Sequence, residues 1–217
     1  TMEKFLILIM GPQGSGKGTQ SKILAEKLGY VYAEMGPTLK EYAKQNSNDS
    51  GIINKYQNKG KLVPDKIVMR AIKYKFEGAK SIIFDGVPRN KVQAAKIIEI
   101  AYEYNFKVIA INIELTDHEA LKRLLARRLC PIDGYEPPYP ASLKKKLCPK
   151  CGAKLIRRSD DKESVIKERL KEYHKKTEPM MKYLREKKIM IISLDGRPSV
   201  VAVNKKLTQK LSRTGIA

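Results

Sequence analysis

The sequence predicts an α/β chain, a parallel β-sheet with helices packed on both faces. Three observations predict it. Short, uninterrupted apolar runs punctuate the chain, segments of helical period lie between them, and two polar stretches break the rhythm. A run that is apolar at every position suits a strand buried on both faces. Such strands alternating with helices require crossover connections, and those produce a parallel sheet.

The elements follow in order. Phe5–Met10 is the first buried strand. A glycine-rich turn leads to a helical stretch from about Thr19 to Leu28. Residues from about Glu34 to Val63 are polar, with Gln45–Gly51 expected as a turn-rich centre. Ser81–Phe84 and Val108–Ile111 read as further buried strands, with a helix over Lys91–Tyr104 between them. Thr116-Asp117-His118-Glu119 reads as a capping box opening a helix over Asp117–Leu129. From Cys130 to Asp161 the chain is proline-rich, holds all three cysteines and has no helical period. Asp160 and Glu163 have capping spacing ahead of a helix that runs toward Tyr173, and Met190–Leu194 is the last strand. The two irregular stretches read as inserts on the sheet scaffold.

Composition narrows the function classes. The chain has 217 residues, enough for one sizeable domain with inserts, and 42% are hydrophobic, enough for a packed core. The net charge of +21 comes from 44 Lys and Arg against 23 Asp and Glu. That excess favours anionic partners such as nucleotides or nucleic acid, or it is a solvated lysine-rich surface. No run approaches the ~20 apolar residues that span a bilayer. Phe5–Met10 also lacks the flanks of a secretory signal, so no membrane partner and a cytoplasmic location are expected. Three cysteines, an odd number, do not make a disulfide framework.

Gly11-Pro12-Gln13-Gly14-Ser15-Gly16-Lys17 fits the first seven positions of the phosphate-binding pattern G-x-x-x-x-G-K-[ST]. The glycines let backbone N–H groups turn inward around a phosphate, and the following helix points its positive end there. Lys17 can then reach the outer phosphates. Gly18 stands where the pattern has Ser or Thr, and Thr19 comes one place late. Asp85 follows a buried strand, which puts it at the carboxyl edge of the sheet, where ligands bind. A carboxylate there can hold hydrated Mg2+. Arg89 offers a fork for phosphate oxygens, and Gln93 carries a donor and an acceptor for a base edge. Arg123 and Arg127 share one helix face, suited to stacking on a base and neutralising phosphate, or simply solvated. Cys130 and Asp133, a gap of fourteen residues, then Cys148 and Cys151 have the layout of a structural zinc ribbon. Asp133 is the unusual member of that set, and the alternative is three free thiols.

Taken together, Gly11–Gln20, Gly60–Asp65, Asp85-Gly86-Val87-Pro88-Arg89 with Gln93, the arginines Arg123, Arg127 and Arg128, Arg158–Asp161 with Arg169, and Asp195-Gly196 resemble the ordered motifs of the adenylate kinase family. The likeness covers nearly the whole chain. It implies a P-loop-type, five-stranded parallel sheet with a core of residues 1–33, 64–129 and 162–217. A monophosphate-binding insert would span 34–63 and a zinc-ribbon-like lid 130–161. It implies reversible transfer from Mg-ATP to a nucleoside monophosphate, ATP + AMP = 2 ADP, with Mg2+ and a structural Zn2+. ATP would be held by Gly14, Ser15, Gly16, Lys17, Gly18, Thr19, Arg123 and Arg127. The monophosphate would be held by Met35, Gly36, Lys40, Lys61, Val63, Gly86, Arg89, Gln93, Arg158 and Arg169. Lys17, Asp85, Arg89, Arg127, Arg158 and Arg169 would carry the catalysis.

Two departures bear on the acceptor. Met35 stands where the family has a threonine against adenine, and Lys40 where it has an arginine on the phosphate. Lysine loses the bidentate fork, and methionine replaces a hydroxyl with a flexible apolar wall. A relaxed choice of monophosphates is therefore expected, weighed against AMP preference kept by other contacts. A CMP/UMP- or GMP-preferring kinase is the runner-up. A nucleic-acid-binding P-loop ATPase is the remote alternative. The low aromatic content of 7% and the absence of Trp argue against it. Retention of Lys17, Asp85, Arg89 and Arg169 argues against an inactive interaction protein. Monomer or homo-oligomer is left open.

Overall fold

The computed structural model describes residues 3–58, 63–158 and 161–216. Its centre is a five-stranded sheet of β1 (Lys4–Met10), β2 (Val31–Glu34), β3 (Ile82–Asp85), β4 (Phe106–Glu114) and β5 (Met190–Asp195), ordered β2-β3-β1-β4-β5. Every neighbouring pair is parallel. Helices α1 (Lys17–Leu28), α4 (Asp65–Phe76), α5 (Lys91–Glu103), α8 (Glu178–Glu186) and α9 (Val200–Ser212) cover it. The period of two in β1 sorts the faces. Leu6, Leu8 and Met10 pack with residues of α4, α5 and α8, while Phe5, Ile7 and Ile9 pack with α1 and α9. Both faces are thus buried, which is why the strand reads as one apolar run.

The expected strands and helices are present, and three readings need correction. First, β2 was not among the apolar runs. It is a four-residue edge strand with Val31 and Glu34 exposed, so its composition carries no buried-strand signal. Second, the turn-rich centre at Gln45–Gly51 shrinks to a break at Asn46. Helix α2 (Met35–Gln45) runs up to it, and α3 (Ser47–Asn58) starts directly after it. The amide N–H groups of Asp49 and Ser50 donate to the Asn46 carbonyl at 3.1 Å each. The buried Asp49 carboxylate then accepts from Tyr42 Oη of α2 at 3.1 Å and from Arg70 Nε of α4 at 2.9 Å, so polar residues serve to tie three helices. Third, α6 (Asp117–Ala126) ends three residues before Leu129. Leu129 instead pairs with Ile156 in an antiparallel bridge, which pulls the backbone out of the helix at Arg127.

The capping readings hold in part. The Thr116 hydroxyl accepts from Glu119 N at 3.3 Å, but the Glu119 carboxylate turns forward to Arg123 Nε at 3.1 Å. Helix α7 (Glu163–Glu172) is preceded by Lys162 at the cap position, and Asp160 lies outside the described residues. A π-helical turn over Tyr173–Thr177 links α7 to α8.

Candidate active site

All five strands run parallel, so their carboxyl ends share one edge. Along it lie the turn after β1, Met35 after β2, the Asp85–Arg89 segment after β3 and the Asp195-Gly196 turn after β5. Order reverses around β1, which has β3 on one side and β4 on the other, so a crevice opens there.

The turn after β1 is built by glycine. Gly11, Gly14 and Gly16 have φ of 139°, 83° and 91°, a region that side chains disfavour. A Cβ on Gly11 would lie 2.2 Å from the Ile113 carbonyl oxygen. The loop wraps so that the Lys17 ammonium donates to the Pro12 carbonyl at 2.9 Å. Burial pulls the pKa of Lys17 down to about 8; Asp85 opposes that drop, while Arg89 and Arg127 add to it. The charges of Asp85, Arg89 and Arg127 thus all act on Lys17. Among the described residues, nothing pairs with the buried Ser15 Oγ and Gln13 Oε1 of that loop, and buried polar atoms are ordinarily hydrogen-bonded.

Gly18, the departure from the sequence pattern, has a local cause. A Cβ there would meet Asp85 Oδ2 at 3.1 Å. Glycine at this place keeps the space in front of the Asp85 carboxylate open. Asp85 is 8% exposed, and its Oδ2 accepts from Tyr32 Oη at 3.2 Å. A buried carboxylate oxygen with open space beside it fits the hydration shell of a magnesium ion.

Arg89 follows the cis Val87–Pro88 peptide, and its Nε donates to the Gly86 carbonyl at 2.8 Å. Arg89 is exposed to solvent. Desolvation lowers its pKa, the Asp85 charge opposes the change, and the Arg169 charge adds to it. Gln93 is buried in the first turn of α5. Its Oε1 accepts from Arg89 N at 2.7 Å and its Nε2 donates to Asp65 Oδ1 at 2.7 Å.

On the other side of β1, Arg123 sits on α6. Its guanidinium donates to the Gly196 carbonyl at 2.9 Å and the Arg197 carbonyl at 3.0 Å. The Tyr139 ring lies 5.8 Å from it. Gly196 is wedged, since a Cβ would lie 2.9 Å from the Glu114 carbonyl and 3.0 Å from that of Ser15. Arg127 is gripped by the buried Asp161 carboxylate, with Nε donating at 2.8 Å. Arg158 lies 4.0 Å from Glu136. Met35 is buried at the start of α2, Gly36 and Lys40 are exposed on that helix, and Val63 is buried. Thr19 is exposed on α1. Lys61 lies outside the described residues.

The cysteine pairs converge. Ligand atoms of Cys130, Asp133, Cys148 and Cys151 all lie within 4.8 Å of one another. Each Cys-Pro segment curls back through glycine: Gly134 N donates to the Cys130 carbonyl at 3.0 Å and Gly152 N to that of Cys148 at 2.9 Å. Three soft thiolates and one carboxylate at that mutual spacing fit tetrahedral zinc. Among the described residues between Cys130 and Asp161, the apolar cluster beside the cysteines is small, made by Leu155, Tyr135 and Ala153, too little for a core of its own.

Sequence reasoning missed Tyr32, Asp65 as a partner of Gln93, Tyr139 over Arg123, and the Asp161 grip on Arg127. All four are contacts between distant segments and leave no local signal.

The family model described as adenylate kinase matches residues 9–189. An adenylate kinase from Archaeoglobus fulgidus is 34% identical over 213 residues, covering 95% of this chain and 98% of the relative. One from Petrotoga mobilis is 35% identical over 204 residues, 93% of this chain and 94% of the relative. One from Methanocella arvoryzae is 36% identical over 199 residues, 89% and 92% respectively.

Proposed function

The chain belongs to the adenylate kinase family, enzymes that move phosphoryl groups between nucleotides, and from that premise we propose that it catalyses Mg-dependent ATP + AMP = 2 ADP with a relaxed choice of monophosphate. The observation that carries the reading is the glycine-built loop that curls around Lys17 at the sheet edge, with Asp85 Oδ2 3.1 Å from where a Gly18 Cβ would stand. In-line transfer asks for alignment and charge neutralisation rather than covalent chemistry.

The loop amides of Gly14–Thr19 and the Lys17 ammonium hold the donor phosphates. Arg123, anchored on the Gly196 and Arg197 carbonyls, offers its plane to the donor base. Arg89, Arg158 and Arg169 surround the transferred group, and Arg127 joins them by loosening from Asp161. Gly86 and Val63 border the acceptor, Gln93 reads its base, and Lys61, Gly36 and Lys40 serve its sugar-phosphate. Asp85 would hold hydrated Mg2+, which supplies charge neutralisation between the phosphates. Zinc at Cys130, Asp133, Cys148 and Cys151 would cross-link the insert over residues 130–161 and take no part in transfer.

Relaxed acceptor choice is supported by Met35, which is 6% exposed and lines the start of α2 with an apolar side chain. An apolar wall discriminates by only about 1–3 kcal/mol. Diphosphate formation from Mg-ATP with AMP, CMP, UMP and GMP in turn tests both statements. Turnover of AMP and at least one other monophosphate is expected. A preference for AMP above ~10⁴ in kcat/KM removes the relaxed choice, and release of inorganic phosphate from ATP with no monophosphate consumed in any of the four reactions removes the kinase reading.

A further inference from the structure

Gln93 has one carbonyl oxygen and one NH2 group, and the protein already engages both. Oε1 accepts from the Arg89 amide at 2.7 Å, and Nε2 donates to Asp65 Oδ1 at 2.7 Å. A backbone N–H can only donate, and a carboxylate can only accept. The reverse orientation of the amide would set donor against donor and acceptor against acceptor. Its polarity is therefore fixed by chemistry, not by a choice between equivalent fits. Asp65 is itself held, its Oδ2 accepting from Asn90 Nδ2 at 3.4 Å, while Asn90 Oδ1 caps α5 through Gln93 N at 2.8 Å.

An amide has two N–H groups and two lone pairs on oxygen. With one of each engaged, Gln93 keeps one donor and one acceptor, in a set spatial order. Bases fall into two classes against such an edge. Adenine and cytosine present an amino donor beside a ring-nitrogen acceptor. Hypoxanthine, guanine and uracil present a carbonyl acceptor beside a ring N–H donor, which is the opposite order. We propose that Asp65 is a positioning residue that locks the Gln93 amide, so that the acceptor pocket is loose in shape at Met35 but strict in polarity, taking amino-base monophosphates (AMP, CMP) and rejecting oxo-base ones (IMP, GMP, UMP). This rests on the reading that Gln93 faces the acceptor base and that AMP is a substrate. Asp65 begins α4 and Gln93 lies in the first turn of α5. The lock therefore joins the helix that follows the polar stretch to the helix that follows Asp85.

AMP and IMP make the cleanest pair, because they differ only at the 6-substituent and the proton on N1. The unaltered protein should prefer AMP by ~10³ or more in kcat/KM, since reversed polarity leaves buried polar groups unpaired. Asp65→Asn offers either polarity to Gln93 and removes a charge-assisted hydrogen bond. It should cut that ratio by about tenfold or more, with kcat/KM for IMP rising. Asp65→Ala, which leaves polarity to the Arg89 amide alone, should move the ratio in the same direction. Calorimetric Kd values for AMP and IMP on both variants give the same comparison without turnover, and melting curves verify the fold. AMP turnover with a ratio unmoved by Asp65→Asn, or AMP and IMP falling in parallel, overturns the lock and leaves the kinase reading standing. Absence of turnover with any monophosphate in the unaltered protein overturns both.

Discussion

Lys17→Met should make the nucleotide-free protein more stable while abolishing phosphoryl transfer. The ammonium sits in the loop at a pKa drawn from 10.5 to about 8, mainly by burial. That drop corresponds to roughly 3 kcal/mol spent on keeping the charge at neutral pH. Methionine removes the charge and keeps the length, but forfeits the bond to the Pro12 carbonyl, worth about 1 kcal/mol. A net gain of ~2 kcal/mol remains, or roughly 4–8 °C in Tm for a chain of this size. The sign with pH is distinctive. Below pH 8 the folded unaltered protein carries the full cost of the charge. Between about 8 and 10.5 the unfolded chain binds more protons than the folded one, so the unaltered protein gains stability as pH rises. The advantage of Lys17→Met should therefore shrink by pH 10. Thermal melts at pH 7, 8, 9 and 10, with ADP formation measured in parallel, provide the assay. A variant that melts lower at pH 7, or a gap constant across the series, would refute the reasoning.

Three further outcomes follow from the same geometry. Metal analysis of protein purified without chelator should find close to one zinc per chain, and Cys148→Ser should release it and lower Tm; a metal-free protein ends that assignment. His174 bridges Glu178 at 2.7 Å and Asp117 at 2.8 Å, and these two carboxylates, Glu178 foremost, raise its pKa. Its contribution is present in full below about pH 6.5 and lost as pH rises through the raised value, by less than ~1 kcal/mol since all three groups face water; His174→Gln should flatten Tm between pH 6 and 8, and an identical profile argues against the bridge. Gly196→Ala would press a Cβ to 2.9 Å from the Glu114 carbonyl and from Ile113 Cγ2. It should cost about 1–3 kcal/mol in urea unfolding and raise KM for ATP more than for AMP; equal effects on both substrates would separate this turn from the donor side.

What the sequence made legible was whatever is written locally. The apolar runs of β1, β3 and β4 announce burial on two faces, and Gly11–Lys17 carries its own turn chemistry; Met190–Leu194 reads as buried too, but β5 is an edge strand with Met190 exposed and only Ile192 and Leu194 buried. The edge strand β2 was missed because half-exposed Val31-Tyr32-Ala33-Glu34 resembles a loop in composition. The helix α3 was missed because Ser, Asn and Asp favour turns by propensity. There the Tyr42, Asp49 and Arg70 network decides instead. At the site, Lys17 was found through the glycine pattern that precedes it, and Asp85 and Arg89 because they end or closely follow a buried strand. The Asp65–Gln93 contact joins residues 28 apart, and nothing near either residue signals it. Gly18 looked like a departure from a pattern until the Asp85 carboxylate was seen beside it.

The bridge between Leu129 and Ile156, with Arg127 gripping Asp161, brings the two ends of the cysteine-bearing stretch together at one clasp. A segment that departs and returns at the same place makes few demands on the body it leaves. Its length can change, and its cluster of three cysteines and Asp133 can be traded for another staple, without re-threading the sheet. For protein engineering the stretch is an interchangeable cassette, with the clasp as the splice point to preserve in any graft.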